Sequence, residues 1–431
     1  MVRRTPMSAI PTSSKEKISP ALVGVLVLLG FSVFINYIDR ANLSVAAPLL
    51  KGELGLSPAQ LGILLSAFFW TYACMQIPVG WLVDRFDVKW VFAIGFFVWS
   101  AATASTGFAH TFAMLLAIRV VLGIGESVAY PSYAKIFANH FVERQRGVAN
   151  SVIGAGQSLG PALGIFLGAT LIAHFGWRPF FIVLGFAGLL WLPPWLQWMP
   201  RTPTLGAFHM RHGPDLSEIV GHRSSWGTWI GHFCANYSLY FLLTWLPFYL
   251  VSERHFSVEG MAKIGGATFL MSALSCLICG RLSDRLISAG ATPTRVRTTF
   301  VVLGLTCTGL FLSGCAVAPK SGLVALLLLA GAAMGMTSSN LFAVSQTLAG
   351  PLAAGRWMGV ENFVANLAGV VAPTLTGFLL GWTGHFYWPF LITAVVTALG
   401  ALQWIFVVGP VEPVLWKTQL KVMIPEVPSA I

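Results

Sequence analysis

The chain has 431 residues, 56% of them hydrophobic and only 10% charged, with a formal net charge of +11. A soluble domain carries about 25% charged residues, so composition excludes a water-soluble enzyme or binding domain. The basic excess is explained by membrane topology and anionic lipid, without nucleic acid.

Apolar runs such as 21–34, 91–104, 323–336 and 391–408 predict membrane helices. Twelve spans are expected. The first, 21–48, follows Arg3, Arg4, Lys15 and Lys17 and carries Asn36, Tyr37, Asp39 and Arg40. It is too long for the apolar part of a signal peptide and lacks a small-residue cleavage site, so a retained anchor is predicted. The second, 60–83, holds Tyr72 and Gln76 and ends in Gly80-Trp81-Leu82-Val83-Asp84-Arg85. After the third, 90–108, the fourth, 111–135, holds Arg119 and Glu126 with Gly123 and Gly125 between them. The fifth, 147–174, carries Gln157 and places Gly156, Gly160, Gly164 and Gly168 on one helix face for close packing. His174-Phe175-Gly176-Trp177-Arg178-Pro179-Phe180 leads into the sixth, 179–199.

Beyond a polar stretch at 200–225 come the seventh span, 226–251, with Asn236 and Tyr240, and the eighth, 262–283. The eighth ends in Gly280-Arg281-Leu282-Ser283-Asp284-Arg285, which repeats the earlier string 200 residues on. The ninth is 298–318. The tenth, 322–349, has Asn340. The eleventh, 357–382, has Asn362, Asn366, Gly369, Pro373, Gly377 and Gly381. The twelfth, 386–409, opens with His385-Phe386-Tyr387-Trp388-Pro389-Phe390, a second repeat 211 residues after its counterpart.

Both repeats fall at matching places, so the fold expected is all-α: two six-helix bundles related by a pseudo-two-fold axis along the membrane normal, with a site at their junction. The expected divisions are a cytoplasmic tail 1–20, a bundle 21–199, a cytoplasmic loop 200–225, a bundle 226–409 and a cytoplasmic tail 410–431. Counting helix ends with the adjoining loops, 19 Lys and Arg fall on one side of this arrangement and 5 on the other. That bias places both termini in the cytoplasm. All six cysteines fall within predicted spans, and Cys276-Leu277-Ile278-Cys279 has no His or acidic companion. No disulfide, metal or cofactor site is expected.

Four residues charged at neutral pH lie well inside spans: Asp39, Arg40, Arg119 and Glu126. Each costs about 2.5–3.5 kcal/mol at a helix centre, so they should face a water-accessible chamber or one another. Asp39 lies roughly 13 Å and Arg119 roughly 12 Å below the same surface, which predicts that they pair. Glu126 follows Arg119 by nearly two turns on the same face. Low dielectric favours proton uptake by a carboxylate and a neighbouring Arg opposes it; Asp39 and Glu126 are the candidate proton carriers. Arg40, about 100° from Asp39 around its helix, is the candidate for a substrate carboxylate. The structural alternative is two ion pairs, Asp39 with Arg119 and Arg40 with Glu126. The second half shows no comparable charge; Glu361 is expected at the interface beside Arg356. Trp70, Trp245 and Tyr249 belong either to the cavity or to the membrane interfaces. The recurring Asp84, Arg85, Asp284 and Arg285 suggest a gate in which a carboxylate meets helix ends or basic groups of the opposite half.

At these residues the chain resembles the major facilitator superfamily. It is similar in particular to the anion:cation symporters, which include bacterial sugar-acid transporters and relatives of the vesicular glutamate transporter and sialin. The strings that carry this are Asn36-Tyr37-Ile38-Asp39-Arg40-Ala41-Asn42-Leu43-Ser44, Arg119 to Glu126, Leu243-Thr244-Trp245-Leu246-Pro247-Phe248-Tyr249-Leu250, and Asn366-Leu367-Ala368-Gly369 before Pro373. The resemblance implies proton coupling through Asp39 and Glu126, an ion-pair role for Arg119, and a substrate carboxylate on Arg40. It also implies substrate contacts from Tyr37, Tyr72, Gln157 and Asn366; Asn340 is a further polar candidate. Two positions depart from the pattern: Gln346 follows Ser345 where Asp is usual, and Asp87 stands where Gly is usual.

The expected protein is therefore not an enzyme but a monomeric transporter in a bacterial inner membrane. Its expected partners are a small organic anion (a sugar acid such as an aldonate, aldarate or hexuronate), protons and membrane lipid. The alternatives are an aromatic-acid or dicarboxylate carrier, a drug-efflux proton antiporter, or a non-transporting membrane sensor.

Overall fold

A computed structural model describes residues 20–140, 143–200 and 214–416. Residues 1–19, with Arg3, Arg4, Lys15 and Lys17, residues 417–431 of the predicted carboxyl-terminal tail and most of the predicted central loop lie outside the described residues. The first half comprises α1 (Pro20–Leu54), α2 (Pro58–Arg85), α3 (Val88–Thr106), α4 (Phe112–Glu126), α5 (Ala129–His140), α6 (Glu143–Phe175), α7 (Trp177–Leu189) and α8 (Leu192–Trp198). A short α9 (Leu216–Gly221) then precedes α10 (Arg223–Phe248), which a π-helical turn, Tyr249–Glu253, prolongs. The remainder is α11 (Val258–Ser288), α12 (Pro293–Val317), α13 (Lys320–Thr383) and α14 (Tyr387–Phe406).

Among the described residues, twelve stretches are long and apolar enough to cross a membrane. α4 and α5 together make one span, as do α7 and α8, whereas α13 contains two, Lys320–Gly350 and Arg356–Thr383. Its two limbs part at Gly350, whose φ of 61° is a left-handed conformation that a side chain disfavours. Capping fixes other boundaries. Ser57 and Gln60 exchange side chain–backbone hydrogen bonds at the start of α2. Asp87, the departure from the loop pattern, is the N-cap of α3 and accepts from the Lys89 amide at 3.0 Å. Large apolar side chains such as Ile94, Leu310 and Trp382 face outward, Trp382 being 87% exposed. Acyl chains cover such a surface in a bilayer, whereas in water it would associate.

The packing repeats between the halves. In the first, α1 lies on α6, α2 on α4, and α3 on α7; in the second, α10 and α11 lie on α13, and α12 on α14. Across the junction α2 meets α13, α6 meets α11, and α1 meets α10. This pattern maps onto itself when the halves are exchanged, as a two-fold axis along the membrane normal requires. The glycine stripe of α6 faces α1: a Cβ on Gly160 would stand 2.5 Å from that of Tyr37. The halves pack backbone to backbone at the end away from the repeated loops, where Cβ atoms on Gly62 or Gly377 would each overlap the other glycine's backbone.

The second repeat now has a structural explanation. Trp177 Nε1 donates to Glu53 at 2.7 Å, and Arg178 donates to the same carboxylate and to the carbonyls of Gly107 and Ala109. Glu253, 200 residues later, accepts from the Phe386 amide at 2.8 Å. Arg178→Ala removes bonds to two loop carbonyls while the partly exposed ion pair counts for little. The expected loss is about 1–2 kcal/mol, read as a lower melting temperature in detergent.

Candidate functional site

Between the halves lies a chamber of about 520 Å³. Tyr37 and Arg40 of α1, Tyr72 and Gln76 of α2, Tyr130 of α5 and Gln157 of α6 form one wall. His232, Asn236 and Tyr240 of α10 and Asn362 and Asn366 of α13 form part of the other. Five of the predicted substrate residues, Arg40, Tyr37, Tyr72, Gln157 and Asn366, are thus brought together. Asn340 is not among them. Its Oδ1 accepts from Ser283 at 2.7 Å within the second half, because its helix face turns toward α11.

Arg40 is the only member of the predicted charged quartet that lines the chamber. Its Nε donates to Glu126 Oε2 at 3.1 Å, and its guanidinium lies 4.4–4.9 Å from the ring centres of Tyr37, Phe68 and Tyr72. Nη2 has no hydrogen-bond partner among the described residues. Asn36 Nδ2 also donates to Glu126 Oε2, at 2.7 Å, while Oε1 is unpartnered. The aromatic faces attract the cation without using its N–H groups, which leaves hydrogen-bonding capacity for an incoming anion. Tyr240 donates to Asn366 at 2.7 Å, and Tyr130 links Tyr37 to Gln157 through longer contacts of 3.5 and 3.4 Å.

The expected Asp39–Arg119 pair does not form. Asp39 instead accepts from Trp99 Nε1 at 2.7 Å, and the Arg119 guanidinium lies over Phe68, 5.2 Å from its centre. Both are buried within the first half, behind rather than on the chamber wall. Equal depth on two helices does not make two side chains meet; rotation about each axis decides it. Gly125 permits the actual geometry, since its missing Cβ would lie 2.6 Å from the Trp99 backbone nitrogen. Phe68 separates the two arginines, stacking on each. Trp99→Phe removes the indole donor from a buried carboxylate and is expected to destabilise by about 1–3 kcal/mol, measurable by thermal unfolding with ligand absent.

The second half also corrects the sequence reading. Glu361 is fully buried rather than interfacial. Its Oε1 contacts His232 Nδ1 at 3.0 Å and accepts from Ser345 Oγ at 2.9 Å. Trp70 is partly exposed on the outside, Trp245 donates to the Pro373 carbonyl, and Tyr249 packs on Phe386 and Phe390, so none lines the chamber. The predicted gate is apart here. Arg85, Asp284 and Arg285 are exposed, with no ion pair between the halves among the described residues, and a Cβ on Gly80 would meet nothing. The Asp84 side chain lies outside the described residues. The halves are closed at the opposite end, so the chamber opens toward the repeated loops.

Two helical membrane bundles around a polar chamber at their junction define a secondary transporter. The chain belongs to the Major Facilitator Superfamily, whose family model matches residues 29–373 and again 289–422. It is 32% identical over 403 residues to a probable sulfoacetate transporter of Cupriavidus necator, covering 90% of this chain and 93% of that one. It is 31% identical over 412 residues to the hexuronate transporter of Bacillus subtilis, covering 92% and 96%. A solved bacterial homolog of the human lysosomal transporter Spinster, inward-facing and occupied, shares the fold with a TM-score of 0.76 at 18% identity, over 90% of this chain and 97% of that one.

Proposed function

We propose that this protein is a proton-coupled symporter of a small organic anion, a sugar acid in particular, in a bacterial inner membrane with both termini cytoplasmic. The observation that carries this reading is Arg40: a permanent cation on the chamber wall, tied to the sealed carboxylate of Glu126 and with one nitrogen unused. Substrate carboxylate and Glu126 compete for the same guanidinium. A proton on Glu126 relaxes its hold, so that Arg40 takes the substrate by forked hydrogen bonds. Loss of the proton returns Arg40 to Glu126 and ejects the substrate, which makes the two fluxes interdependent. Asp39, held by Trp99 behind the wall, serves as a second proton carrier, and Arg119 sets the field around it. Tyr37, Tyr72, Gln157 and Asn366 meet the hydroxyls of the sugar acid.

With the repeated loops cytoplasmic, the conformation described is inward-open, and Asp84, Arg85, Asp284 and Arg285 engage in the outward-open one. The relatives named for hexuronate and sulfoacetate support an anionic substrate. Proteoliposomes with an acidic exterior should accumulate labelled galacturonate above its external concentration, and a protonophore should collapse the accumulation. Uptake that ignores the imposed pH difference would sink the coupling scheme.

A further inference from the structure

The second-half wall holds an arrangement similar to that around Arg40, at a different level and with a different cation. His232 and Arg40 lie on α10 and α1, the helices that correspond through the 200-residue offset linking Glu53 to Glu253. Each contacts a sealed carboxylate on a neighbouring helix, Arg40 with Glu126 at 3.1 Å and His232 with Glu361 at 3.0 Å. Each carboxylate retains one buried oxygen without a partner, Oε1 of Glu126 and Oε2 of Glu361. Ser345 donates to the same Glu361 oxygen, and Phe342 packs edge-on against the imidazole at 5.0 Å. When Glu361 is a carboxylate it can only accept, so that Nδ1 donates to it and Nε2 is the ring's remaining polar atom.

We propose that His232, oriented by Glu361 and Ser345, is a second anion anchor on the chamber wall, and that the transported anion bears a charge at each end. This rests on the anion-binding reading of the chamber and narrows it to dianions. When Nε2 is protonated, an imidazolium faces the chamber opposite the permanent charge of Arg40. Glu361, on α13, faces the ring directly. The other titratable groups on the chamber wall are Arg40 and Tyr37 of α1, Tyr72 of α2, Tyr130 of α5, Tyr240 of α10 itself and Cys276 of α11. α9 and α14 contribute no side chain to the wall. His232 is the one imidazole among these wall groups, and a proton on it adds a second cation to the wall. By the 200-residue offset it lies eight residues, roughly 12 Å of helix rise, nearer the open end than the counterpart of Arg40. After the reach of both side chains, that separation suits an extended six-carbon dicarboxylate better than a short dianion. Such a substrate would bridge the halves.

Galactarate and galactonate differ only at one terminus, and their binding to the purified full-length protein by calorimetry provides the test. Galactarate should bind about tenfold more tightly than galactonate at about pH 5.5, with the preference fading toward pH 8. His232→Gln should abolish the preference and its pH dependence, bringing galactarate affinity down to that of galactonate. His232→Arg should preserve the preference and extend it to pH 8, a rescue that a purely structural histidine would not give. No preference in the wild type, or a preference indifferent to His232→Gln, overturns this proposal and leaves the anion chamber intact. Failure of the wild type to bind either acid overturns the anion-chamber reading, and this proposal with it.

Discussion

Glu126→Gln is expected to abolish pH-driven accumulation while leaving substrate exchange intact. Gln matches Glu in shape and retains a carbonyl oxygen for Asn36, which donates to Glu126 at 2.7 Å. It cannot carry a proton, and it no longer presents a charge to Arg40. Arg40 is then permanently available, so substrate binding should be preserved or tightened. Net uptake driven by an acidic exterior should fall by about 100-fold, since the step linking the two fluxes is gone. Counterflow of labelled against unlabelled substrate, with substrate on both faces, needs no net proton movement and should persist. Wild-type uptake should rise with external acidity, whereas exchange by the variant should be flat. Asp39→Asn, which still accepts from Trp99, should likewise lose pH-driven uptake. Normal concentrative uptake in both variants would refute the proton scheme.

Removal of the chamber cation should be the most damaging change to binding. Arg40→Ala deletes the forked donor and the charge, a loss of about 3 kcal/mol or roughly 100-fold in affinity. It also leaves Glu126 buried beside a cavity. Uncompensated buried charge costs about 3–5 kcal/mol in stability, so weakened binding alone would be ambiguous. Arg40→Lys resolves this. The charge remains, but the planar fork and the stacking on Tyr37, Phe68 and Tyr72 are lost; binding should weaken about tenfold while folding is kept. Calorimetry on both variants, with circular dichroism as the folding control, measures the difference. Full affinity in Arg40→Ala would point instead to a carrier of lipophilic cations, which has no need of an arginine on the wall.

Much of the fold was written in local properties. Twelve apolar stretches, two repeated strings and a glycine stripe each follow from composition or spacing, because a bilayer demands long self-satisfied helices. Helix rise also sets depth, so residues such as Arg40, Tyr37, Tyr72, Gln157 and Asn366 announced themselves as polar groups inside spans. Trp99 and Phe68 gave no such signal, lying in apolar runs where one more aromatic side chain looks like lipid-facing surface. His232 and Glu361 were hidden differently: one is a lone histidine, and the other lies near a predicted helix end that in the fold continues α13 beyond Gly350.

The sequence by itself thus determined the number of spans and their pairing into twin bundles. Tertiary structure alone decided which partner each charge found: Glu126 for Arg40, Trp99 for Asp39, Glu361 for His232. The reason is geometric. Sequence spacing fixes height along a helix, whereas a hydrogen bond across helices also requires their relative rotation and separation. Those are set by the packing of all neighbouring side chains together, down to the missing Cβ of Gly125.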